Sequence, residues 1–265
     1  MNSKTVLGSL VVACSLLASM PASAAYSWTF SRSDCAGKVA NSGVKSDWFT
    51  SCSSTGTPSS APDATVTAWA NTATGSKIES GYVGAYSDDP LHLGVVNKKE
   101  DGSQPNHAMD NNGYYDSLLM SFGGAVKLTS LELNYANTDS DLTVLAYYGS
   151  GAPVLAGKSY ADLLSSGWKL VGHYADVYSN ANHAATINAS NYISSYWLIG
   201  AYNPLVDPSN PGWSATNDYV KLRSVTGDTT RVPEPSSLLM FGLAFAGLVY
   251  ARKRRGSDAG GTGFA

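Results

Sequence analysis

Apolar residues run along this chain in two rhythms. Solid apolar runs fill Val6 to Leu17 and about Ser236 to Ala251, and between them short stretches alternate apolar with polar. Alternation with a period of two marks a strand that buries one face. Tyr26, Trp28 and Phe30 share one face of a strand expected over 26–33. Val66 and Ala68 alternate with Thr65 and Thr67 over 64–70, and a further strand is expected over 78–86. More strands are predicted over 115–122, 126–135, 142–148, 168–178, 185–187, 192–203 and 219–225. Within 126–135 the apolar positions change phase between Leu128 and Leu131, which predicts a bulge. Residues 159–166 predict one short helix, with Ser159 capping its start and Gly167 ending it. The Ser, Thr, Pro and Gly stretch 50–64 reads as an exposed linker. Residues 87–112, rich in turn formers, read as a long irregular loop. Many short strands, one helix and no strand–helix alternation predict a mainly β fold. The architecture expected is an antiparallel β-sandwich, jelly-roll-like.

The two solid runs have different neighbours. Lys4 precedes the first, and Pro21-Ala22-Ser23-Ala24 closes it with an A-x-A pattern. That order predicts a signal peptide over 1–24, cut after Ala24. Val11-Val12-Ala13-Cys14 resembles a lipoprotein box, but it falls too early in the run. The second run follows Pro233-Glu234-Pro235 and ends on Arg252, Lys253, Arg254 and Arg255. A bilayer core of about 30 Å takes about 20 apolar residues as a helix. The run is slightly short, and its flanking serines and a snorkelling Arg252 extend it to the interface. A single transmembrane helix is expected, with the basic cluster held on the cytoplasmic side. The chain therefore divides into a signal peptide (1–24), an exported domain (25–231), a C-terminal membrane signal (232–255) and a short cytoplasmic tail (256–265).

The tripeptide, the apolar run and the basic end, in that order, resemble the PEP-CTERM sorting signal of Gram-negative bacteria. The resemblance implies that an exosortase, a membrane-embedded enzyme resembling a cysteine transpeptidase, processes the chain near Pro233, Glu234 and Pro235. It also implies a transient stay in the inner membrane, then the cell surface or the extracellular matrix, with links to exopolysaccharide and biofilm. The two prolines suit such processing, since they fix two φ angles and remove two N–H groups. An extended, unpaired backbone is what a protease-like cleft accepts. The tail 256–265 departs from the family pattern, which usually ends soon after the basic cluster. The plainer reading is an anchor that is never cut. Residues 91–148 are similar to a subfamily of exosortase-dependent surface proteins. Leu93-Gly94-Val95, Pro105-Asn106-His107-Ala108, Asp110-Asn111, Asp116, Leu118 to Phe122 and Asp139 to Tyr148 carry that similarity. It implies a location, not a chemistry.

Charge and cysteine narrow the rest. The exported domain carries twelve basic and eighteen acidic residues, a net −6, with no basic stripe. Nucleic-acid binding is not expected. With Cys14 removed, Cys35 and Cys52 remain as an even pair in an oxidising compartment, and a disulfide is expected. A metal pair or a cysteine nucleophile is the alternative, and no His or Cys at ligand spacing accompanies either. Asp110, Asn111 and Asp116 place oxygen side chains on one loop and are the Ca²⁺ candidate set. The plainer reading is that they cap their own backbone. His107 reads as a hydrogen-bonding loop residue, and Asp139 and Asp141 as hairpin-turn residues. No G-x-S-x-G and no H-E-x-x-H occurs, and no carboxylate pair stands out for glycoside hydrolysis. Catalysis is not expected, and no cofactor other than Ca²⁺ is suggested. Aromatic residues also stack on sugars. Trp197, in an apolar strand, reads as core, whereas Trp213, between Pro211-Gly212 and Ser214, is the sugar-stacking candidate. Three functions follow: a sorted structural or interaction protein, a carbohydrate-binding module with or without Ca²⁺, and, last, a hydrolase.

Overall fold

Strand pairing begins at the first residue expected in the exported protein. The structure, a computed structural model, describes residues 25–39, 47–86, 91–99, 105, 107–209 and 212–229. The expected signal peptide, the Pro233-Glu234-Pro235 motif, the apolar run and the basic cluster lie outside these residues. No helix among the described residues is long and apolar enough to cross a membrane.

Fifteen strands are found among the described residues. The first six are β1 (Ala25–Thr29), β2 (Cys35–Ala36), β3 (Asp47–Phe49), β4 (Ser51–Ser54), β5 (Ala64–Ala73) and β6 (Lys77–Ser80). Next come β7 (Tyr82–Tyr86), β8 (His92–Val96), β9 (Met109–Asp110), β10 (Asp116–Thr138) and β11 (Leu142–Tyr147). The last are β12 (Trp168–Tyr174), β13 (Ala184–Thr186), β14 (Ser194–Ala201) and β15 (Asp218–Asp228). All the named strand pairings are antiparallel, and the unit they form spans Ser23–Thr230. The strands join one hydrogen-bonded network that is nearly barrel-shaped, in the order β12-β11-β14-β10-β15-β8-β7-β3 with side branches, and β10 belongs to both of its two sets of pairings.

β10 holds that network together. Two strands were expected over its length, and the chain instead runs through both without a break in strand geometry. Its first half pairs with β5 on one side and β14 on the other. Its second half pairs with β15 and β13. The register slips between Ser121 and Val126, and again between Leu128 and Ser130, where the sequence phase changes. The main core gathers Trp28, Val66, Leu118, Leu133, Trp197 and Val225 from strands of both halves. A second apolar cluster includes Ile78, Leu119, Leu145, Leu155, Leu163 and Leu198. Neighbours such as Leu118 and Leu119 belong to different clusters, because successive side chains of a strand face opposite sides.

Several expectations are corrected by the fold. Residues 50–64 are not an exposed linker. They contain β4, which pairs with β5, and they bury Cys52, Ser54, Ala61 and Ala64. Residues 87–112 are not wholly irregular, since β8 pairs with β7 and β15 and buries Leu93, Val95 and Val96. The strand expected over 78–86 is two strands, β6 and β7, broken at Gly81. β12 stops at Tyr174, because Asp176 takes a left-handed conformation with φ 50°. The expected helix is two 3₁₀ turns, Tyr160–Asp162 and Leu164–Ser166. Its punctuation is as the sequence suggests. The Ser159 N–H and hydroxyl donate to the Asp162 carboxylate at 3.2 and 2.6 Å, and Gly167 closes the segment at φ 93°. Cys35 and Cys52 are register partners on β2 and β4, joined by a disulfide.

Candidate functional site

Antiparallel pairing brings six strand ends to one place. Tyr219 pairs with Asp110, Thr138 with Asp218, and Leu142 with both Ala201 and Tyr174. The ends of β9, β10, β12 and β14 thus meet the starts of β11 and β15. Acidic residues collect there, from parts of the chain far apart in sequence.

Asp218 is the centre of this group and is fully buried. Its carboxylate accepts the Asp141 backbone N–H at 2.7 Å and the Asn111 side-chain amide at 2.5 Å. The same Asn111 amide donates to the Tyr202 carbonyl at 3.0 Å, and the Asn111 carboxamide oxygen accepts the Asp218 N–H at 3.0 Å. Burial pushes the Asp218 carboxyl up to about 8. The charges of Asp141 and Asp139 add to the rise, and the N–H bonds from Asp141 and Asn111 oppose it. Asp141 is raised as well, first by burial, then by Asp139 and Asp176, against the Asp176 N–H bond of 2.8 Å. A concentration of buried negative charge such as this favours a proton or a cation.

Carboxylate oxygens of Asp139, Asp141 and Asp176 lie within 4.8 Å of one another, so these three could hold a cation. The sequence singled out a different set. Asp110 and Asn111 do lie at this end, where Asp110 accepts the Asn112 N–H at 2.9 Å and Asn111 binds Asp218. Asp116 instead starts β10 and accepts the Asn97 amide at 3.2 Å. All three are buried.

An aromatic group adjoins the acidic one. The Trp213 ring, half-buried, packs edge-on to Tyr202 at 5.1 Å and to His173 at 6.3 Å. The loop that carries Trp213 runs on to Asn217, whose amide donates to Asp139 at 3.2 Å. His173 is lowered by burial, against the neighbouring Asp207. Trp197, by contrast, is in the core, its indole N–H bound to the Ser194 carbonyl at 2.9 Å.

Sequence reasoning missed a second polar cluster. Lys221 on β15 is only 3% exposed. Its ammonium sits 4.1 Å from the ring centres of both Tyr86 and Tyr135 and 3.3 Å from His107 Nε2. Gly94 lets β8 pass close to the His107 carbonyl, where a Cβ would collide with it. Burial pushes Lys221 down to about 8. His107 is accordingly a buried hydrogen-bonding residue. Lys221 gave no signal of its own, because one lysine in a strand reads as a solvated position.

The comparisons with known proteins bear on the C-terminal end. Residues 231–255 match the PEP-CTERM protein-sorting motif. Neither a search of curated proteins nor one of solved structures returned a match.

Proposed function

We propose that this chain, marked by its PEP-CTERM motif as a surface protein sorted by an exosortase, serves as a structural or interaction component of the exopolysaccharide matrix or biofilm. The observation that carries the reading is the match over 231–255, which supports export, a membrane-anchored C-terminal sorting signal and surface delivery. The β unit makes or breaks no bond of a substrate; it is the cargo. Its stability outside the cell rests on the disulfide and on burial across all its strands.

The test is the mature C-terminus. Mass spectrometry of the protein from cells with and without the exosortase should show a C-terminus trimmed near Pro233 only when the enzyme is present. Pro233→Ala with Pro235→Ala should leave the chain intact in the envelope. A full-length C-terminus in both strains would overturn the sorting step.

A second reading, carbohydrate binding at the acidic and aromatic end, is favoured by Trp213. Its half-buried ring stands on the same loop that reaches Asp139. Calorimetric titration of the full chain in detergent with matrix polysaccharide, with and without Ca²⁺, tests it. Binding that falls at least tenfold in Trp213→Ala supports the reading, and silence with both Ca²⁺ and polysaccharide removes it.

A further inference from the structure

We propose that one water molecule is bound inside the β unit, held between Asn203 and the start of β10. Asn203 follows β14 and is 3% exposed. Its backbone N–H donates to Thr143 Oγ1 at 2.9 Å, and its side-chain oxygen accepts the Leu205 N–H at 3.0 Å. The second bond fixes which end of the carboxamide is which. The remaining group, Asn203 Nδ2, is buried and has no hydrogen-bond partner among the described residues. A buried donor left unpaired is costly, so native folds seldom leave one without a partner.

Asn203 lines a cavity of about 10 Å³. That is roughly the space occupied by one water-sized probe, and too little for a larger solute. Asp116, Ser117, Thr143 and Tyr160 supply the other polar walls. Hydrogen-bond accounting shows which atoms remain to accept. Tyr160 has one proton, which goes to the Tyr115 carbonyl at 3.0 Å. The 2.6 Å contact between Ser117 and Tyr160 therefore takes its proton from Ser117. Ser117 Oγ is left as an acceptor. A water that accepts from Asn203 Nδ2 and donates to Ser117 Oγ makes at least two bonds, within the range of about 2–4 for a buried water. A metal cation does not fit, because the amide offers it N–H donors. The water ties the start of β10 to the segment after β14, which leads into the aromatic group.

Two measurements test this. A high-resolution crystal structure of the full chain should show a single water within hydrogen-bond distance of Asn203 Nδ2. Water-oxygen magnetic relaxation dispersion on the full chain in detergent should lose the equivalent of one long-lived water in Val206→Leu, which fills the apolar wall of the cavity. A dry cavity in the crystal, or equal dispersion amplitudes in the folded variant and the wild type, overturns the proposal. If Val206→Leu does not fold, the wild-type crystal structure decides alone.

Discussion

The two halves of β10 are one continuous strand with two surroundings. From Asp116 to Met120 every residue is buried. From Val126 to Leu133 buried Val126, Leu128, Leu131 and Leu133 are interleaved with half-buried polar residues such as Lys127 and Glu132. The inner face is the same in both, since Leu118 and Leu133 belong to the main core. The outer face differs. Leu119 in the first half belongs to the second apolar cluster with Leu155 and Leu163, whereas Glu132 in the second half pairs with Arg223 at 2.6 Å. A strand covered on both faces reads as a solid apolar run, and a strand covered on one face alternates. What lies over a strand decides its sequence as much as what lies under it.

Breaking the cover has the largest expected effect. Leu119→Ala should lose about 3 kcal/mol, as for a buried leucine, although it faces away from the main core. Urea unfolding of the full chain in detergent measures it, and a loss below about 1 kcal/mol would mean that the outer cluster is ornamental. The second change sharpens the comparison on the other half. Lys221 is held at about 8, below its ordinary 10.5, so the unfolded chain binds more protons between those values. Stability from this group therefore rises with pH from about 8 to 10.5, and below pH 8 its burial is a standing penalty. Lys221→Met should gain up to about 3 kcal/mol at pH 7 and flatten the rise above pH 8. Asp218 acts in the opposite sense. With its carboxyl raised to about 8, the folded state holds the extra proton between about 4 and 8, and stability falls as pH climbs through that window. Together the two groups place a minimum of stability near pH 8, to be read from unfolding free energies at pH 4 to 10.5. The smallest effect is on the open outer face: Glu132→Ala should change stability by less than about 1 kcal/mol, since its partner Arg223 is partly exposed to solvent.

The same contrast explains what was legible in the sequence. β5, β11, β14 and most of β15 announced themselves by alternation or by apolar runs, and the disulfide by cysteine parity. β8 did not, because its five residues sit between Asp88-Asp89-Pro90 and Asn97-Lys98-Lys99, which read as turns. β4 was hidden by its Ser-Cys-Ser-Ser composition, although pairing with β5 buries it. The acidic end was only half visible. Asp110, Asn111, Asp139 and Asp141 stood out as loop residues, but Asp218 lies 77 residues beyond Asp141 and 107 beyond Asn111. Only strand pairing brings them together, and strand order is not written in local pattern. The C-terminal motif matched over 231–255 was legible from the order and composition of its three parts.

Ala25 and Asp228 are register partners, as the first residue of β1 and the last of β15. Opposing tension on the two flanks would therefore open this pair from its end, one rung after another, like a zipper. Strands loaded in shear resist with all their bonds at once; this pair would resist with one at a time. The load would fall first on β1, which can peel away while β15 remains paired with β10.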